Sequence, residues 1–217
     1  GYRGTLLTDE ALEGMHGFNA HDYNAPSLAA FFTKAKAENF PLNARELLLR
    51  DILLANGVIV ADGTAYTAGR GAVISISQES PEWLRNRYIA HEGWHGIFFT
   101  DENFRNATAA VFYTMDEISR DFLTGYWHSQ PTLNYDLNDE YLVHNEFMAY
   151  IMQQNVSAVA AYFVNLANWA SVQKAIPALA QHVRQTRGAP FEDAAKVFDE
   201  YAFDNWGLSC GRVWLIR

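Results

Sequence analysis

The sequence predicts an α+β fold that is mainly helical, with a small sheet in the N-terminal half and a helical C-terminal half. Two observations carry this expectation. Capped segments with helical apolar spacing recur along most of the chain. Short β-branched runs, Val58-Ile59-Val60 and Ala72–Ile76, cluster ahead of residue 80, and only Val213–Ile216 reads as a later strand.

Taken in order, Ser27–Glu38 reads as a short helix that follows Pro26. Asn43–Asn56 reads as a stronger one: Asn43 is placed to cap it, Glu46 sits three residues on, and Gly57 follows its end. Asp62-Gly63 marks a turn, so the runs at 58–60 and 72–76 are expected to pair as a hairpin or to share one sheet. Ser80-Pro81-Glu82 makes a helix start, with Ser as cap and Pro at the first helical position, and that helix should reach Phe99. A second helix is expected over Glu102–Thr124, stopped by Gly125, followed by an aromatic-rich loop at 126–137. Asn138-Asp139 opens a helix to Gln154, and further helices are expected near 156–170, 177–187 and 190–203, with Gly188 and Gly207 as stops. With no repeat, low-complexity tract or linker, residues 1–217 are expected to form a single domain with two lobes, 1–100 and 101–217.

Composition narrows the function. The chain has 217 residues and a net charge of −9, which leaves no basic surplus for nucleic acid. Hydrophobic residues make up 49 %, too many for a disordered chain. The single cysteine, Cys210, excludes an internal disulfide framework and reads as a packed small hydrophobe. The charges are uneven. Residues 121–173 hold Asp121, Asp136, Asp139, Glu140 and Glu146 but no Lys or Arg, and 147–173 hold no charge at all. That run is long enough for a membrane span, yet its Gln and Asn side chains are costly in hydrocarbon, so packed core helices are expected instead.

His91-Glu92-Gly93-Trp94-His95 is an HExxH motif inside the helix opened at Ser80-Pro81. Residues four apart share a helix face, so both imidazoles can address one ion. Glu92 then stands beside the pair, able to reach a water without being a ligand. Two imidazoles and a carboxylate suit Zn²⁺, which leaves a fourth position for water. Three acids compete for the third place. Glu146, in Asn145-Glu146-Phe147-Met148-Ala149, lies 51 residues after His95 and sits mid-helix at the head of the uncharged run. Glu117 is 22 residues after His95 but lies in a charge-rich stretch that reads as a solvated face. Asp101 is six after His95. Trp94 and Phe98 read as core, and His16, His21 and His182 fall outside any ligand spacing.

With these residues the chain resembles the zincin metallopeptidases, in which an edge strand precedes the HExxH helix and holds extended substrate; Ala72–Ile76 occupies that place in sequence. Asn-Glu-x-x-Ala around Glu146 resembles the third-ligand segment of the gluzincins, the thermolysin-containing group. Asp101 stands where metzincin-like enzymes place their last ligand, but Phe98 replaces the glycine they need three after the second His. In two respects the chain departs from thermolysin-like enzymes: the spacing to Glu146 is longer, and Tyr150 stands where they carry the Asp that orients the first His.

The resemblance implies a zincin-like domain and a zinc-dependent peptidase with one Zn²⁺ per chain, held by His91, His95 and Glu146, with Glu92 as general base. Oxyanion stabilisers in such enzymes are Tyr or His, which makes His128, Tyr126, Tyr135 and His144 the candidates. The implied partner is a peptide or protein substrate, with neither nucleic acid nor a membrane span. The alternative is a non-catalytic zinc-binding or degenerate protease-like protein that acts as a binding module. The chain begins Gly1-Tyr2-Arg3 without Met; if a signal has been removed, an extracytoplasmic or secreted location is expected.

Overall fold

In the computed structural model, residues 5–14 and 19–212 are described. Val213–Ile216 and His16 lie outside them. Helix accounts for 64 % of the chain, and the strands form two small antiparallel sheets. The chain divides into two compact units, 1–77 and 78–217. The division falls ahead of the HExxH helix and not behind it, so that helix groups with the helices that follow.

The first unit contains α1 (Asp9–Leu12), β1 (Ala20–Asn24), α2 (Ala25–Ala37), α3 (Ala44–Ala55), β2 (Ile59–Asp62), β3 (Ala65–Ala68) and β4 (Ala72–Ile76). The strand pairing differs from the expected one. β2 turns at Asp62-Gly63 onto β3, with Ile59 opposite Ala68, while β4 pairs with β1, Ala20 opposite Ile76. Neither β1 (AHDYN) nor β3 (AYTA) carries the β-branched run that marks a strand, and each is held by its partner's backbone. α2 begins earlier than expected because the Asn24 side chain accepts the Ser27 N–H at 2.9 Å. α3 follows the expected design: Asn43 and Glu46 form a reciprocal capping box. Leu28 and Phe32 of α2 pack with Leu53, Val58 and Ile59 to form the core of this unit. Thr33 fastens α2 to β3 by accepting the Tyr66 N–H at 2.8 Å and donating to the Tyr66 carbonyl at 3.1 Å.

The second unit contains α4 (Glu82–Thr100), α5 (Glu102–Thr114), α6 (Glu117–His128), α7 (Glu140–Met152), α8 (Val156–Ala167), α9 (Ala170–Ala175), α10 (Pro177–Gln185) and α11 (Ala189–Trp206). At the start of α4, Pro81 and not Ser80 holds the cap position, and the buried Ser80 hydroxyl makes no hydrogen bond. The helix expected over 102–124 is two helices. Asp116 accepts the Ser119 N–H and starts a new one, and it runs through Gly125 to His128. Gly125 serves packing and not termination: a Cβ there would come 3.1 Å from Ile176.

α7 lies at the centre of this unit, against α4, α5 and α11. Every residue from Val143 to Met152 is buried. Trp94 and Phe98 of α4 belong to the same core, as does Cys210. Burial pushes the Cys210 thiol well above its ordinary range, with the nearby Asp199 acting in the same direction. Phe163 of α8 stacks on Phe191 of α11 with ring centroids 3.9 Å apart.

Gly188 and Gly207 bound α11, both with left-handed backbone, φ 72° and 65°. A Cβ on Gly188 would come 2.5 Å from the Ala160 carbonyl oxygen, whereas one on Gly207 would meet nothing within 4 Å. Gly207→Ala is therefore expected to cost only the backbone term, about 1 kcal/mol. Gly188→Ala adds a backbone collision and is expected to cost about 2–3 kcal/mol, lowering the melting temperature by roughly 4–10 °C. Thermal melts of the two variants check the order; equal shifts would contradict it.

Candidate metal centre

HExxH falls in the middle of α4, where the 3.6-residue repeat turns His91 and His95 to one side. Their rings meet edge to face with centroids 4.7 Å apart. α7 supplies the third group. Glu146 Oε2 lies 3.8 Å from His91 Nε2, and Glu146 Oε1 lies 3.9 Å from His95 Nε2. One ligand atom from each of the three residues lies within 4.8 Å of the others.

These separations are too long for hydrogen bonds. They are close to the spacing that a tetrahedral ion imposes on its ligands, about 3.4 Å for bonds near 2.1 Å. Burial holds the His91 imidazole well below its ordinary pKa, His95 lowers it further, and the nearby Gln153 amide opposes them. His91 is therefore neutral, which is the form that donates a lone pair to a metal. A carboxylate 6 % exposed in an apolar helix is costly unless charge or hydrogen bonds meet it. The donor set, two imidazoles and one carboxylate, fits Zn²⁺ or a similar divalent transition ion.

Glu92 is buried as well and brings a carboxylate oxygen within 4.8 Å of a ring nitrogen of His95. It therefore stands beside the three-residue cluster without belonging to it.

The loop between α6 and α7 places Tyr135, whose hydroxyl donates to Glu146 Oε2 at 2.9 Å. Burial raises the Tyr135 phenol far above its ordinary range and the Glu146 charge raises it further, so it remains a donor. Tyr150, one turn beyond Glu146 on α7, lays its ring edgewise against His91 at 5.4 Å and neighbours Tyr135. It thus fills by packing the place where an Asp would orient the first His. Gln153, the cap of α7, is the polar neighbour of His91.

The remaining sequence candidates fall elsewhere. Glu117 is exposed in the first turn of α6, and Asp101 spends its carboxylate on the α5 cap by accepting the Phe104 N–H at 2.9 Å. His144 lies about 200° around the α7 axis from Glu146, against Phe112 and Tyr113 of α5. His128 is exposed at the end of α6, and Tyr126 packs on Tyr150 and Trp169. Of the four stabiliser candidates, Tyr135 alone has a hydroxyl hydrogen-bonded to the cluster. His21 stacks on Tyr23, and His182 faces Asp116 at 3.4 Å.

Comparison with protein families, with curated proteins and with solved structures returns no match.

Titration with Zn²⁺ separates the third-ligand candidates. Glu146→Ala is expected to weaken uptake by more than about 100-fold, beyond the usual effect of losing a group that only supports a ligand. Glu117→Ala and Asp101→Asn are expected to leave it unchanged. The opposite ranking, measured by competition with a chromophoric chelator, would reassign the ligand.

Proposed function

We propose that the chain is a zinc-dependent metallopeptidase of gluzincin-like type, within a zincin-like domain. The observation that carries this reading is the convergence of His91, His95 and Glu146 from two helices, with Glu92 held beside His95. The ligand set and the base sit at the positions of the HExxH and Asn-Glu-x-x-Ala segments, and the resemblance rests on those segments.

Zinc, when bound, supplies a Lewis acid for a peptide carbonyl and brings water to a pKa of about 7. His91 and His95 hold it through ring nitrogens, and Glu146 through its carboxylate. Glu92 takes the proton from the attacking water onto a carboxylate oxygen and later delivers it to the amine nitrogen that leaves. The burial of Glu92 keeps that carboxylate away from bulk water, so its proton is passed locally. A purely structural zinc site needs no such base, which is why catalysis is favoured over a binding module.

Glu92→Gln keeps the shape of the side chain and removes its capacity to accept a proton. The variant is expected to retain one zinc per chain and to lose casein hydrolysis by about 10²-fold or more. Hydrolysis at the wild-type rate would contradict the assignment of the base. A pure wild-type sample that takes up no stoichiometric zinc would contradict the whole reading.

A further inference from the structure

The two oxygens of Glu146 are not equivalent. Oε2 accepts the Tyr135 hydroxyl at 2.9 Å and lies 3.8 Å from His91 Nε2. Oε1 faces His95 Nε2 at 3.9 Å. Tyr135 is itself fixed on two sides. Trp127 meets its ring edge to face, with centroids 5.9 Å apart, and the Tyr150 side chain lies nearby. Trp127 also packs edgewise on Tyr150 at 5.6 Å, and Tyr150 packs on His91. Leu133 and Leu137, two residues to either side of Tyr135, anchor the loop in the core.

We propose that Tyr135 is a positioning residue that makes Glu146 a one-oxygen ligand, occupying Oε2 so that Oε1 alone binds the metal. This deepens the metal-centre reading and rests on it. A hydrogen bond from a phenol draws electron density toward one oxygen and lowers its basicity, leaving the other as the better donor. The ring contact with Trp127 holds the Tyr135 hydroxyl against Oε2. His91, His95 and one oxygen of Glu146 would then supply three protein ligands, a set that would favour four-coordination with water in the last place.

Cobalt(II) reports coordination number directly, because four-coordinate Co²⁺ absorbs visible light far more strongly than five-coordinate Co²⁺. The full chain loaded with Co²⁺ is expected to show the intense four-coordinate spectrum. Tyr135→Phe removes a single oxygen and keeps the ring against Trp127. It is expected to shift the spectrum to the weak five-coordinate form and to lower Zn²⁺ affinity by about 10–100-fold. A Tyr135→Phe protein that binds metal with the wild-type spectrum and affinity overturns the proposal and leaves the metal centre standing. A weak five-coordinate spectrum in the wild type also overturns it, and this measurement needs no variant to fold. A wild type that binds neither Co²⁺ nor Zn²⁺ overturns the metal centre together with this proposal.

Discussion

A carboxylate inside a helical stretch that is buried on every side is the constraint around which the second unit is arranged. Glu146 sits among Val143–Met152, all of them buried. Moving an ion of that size out of water costs several kcal/mol in a real protein, even after relaxation. The surrounding elements must therefore bring polar groups to that one spot. α4 contributes two imidazoles from a single face, and the loop before α7 folds back so that Tyr135 reaches the same side chain. The apolar residues next to these groups set the position of each element: Trp94 and Phe98 on α4, and Leu133 and Leu137 in the loop.

Local chemistry made part of this legible in the sequence. The capping box at Asn43 and Glu46 depends on residues three apart, and it forms as expected. The HExxH spacing depends only on helical repeat, so His91 and His95 meet as their positions require. Glu146 stood out because an acid at the head of a long uncharged run needs a reason. What escaped was decided by partners distant in sequence. β1 and β3 are strands because other strands pair with them, not because of their own residues. The break at Met115-Asp116 lies inside a segment with continuous helical propensity, and a single cap decides it. Tyr135 could be named as a candidate, but that it holds the carboxylate depends on how its loop is folded.

The charge pattern takes on a structural meaning. No helix among the described residues is long and apolar enough to cross a membrane. The uncharged stretch begins with the second half of α7, where packing on all sides leaves no room for a charged side chain. Its glutamines serve the backbone. Gln153 and Gln154 both donate to the Tyr150 carbonyl, at 3.2 and 3.0 Å, in the last turn of α7 where carbonyls lack helical partners. Side chains that would be a burden in lipid thus complete a helix end in a protein core.

The separation of 51 residues between His95 and Glu146 has a topological consequence. All of α5 and α6 lies between them, so an ion joining α4 to α7 would close a loop around two whole helices. The chain's only cysteine is buried and free, so no covalent cross-link does this job. In the chain-entropy description, a permanent link over about 50 residues removes roughly 4 kcal/mol of freedom from the unfolded state. The metal centre would then act as a staple as well as a reactive site. Occupancy by metal and resistance to unfolding would rise and fall together.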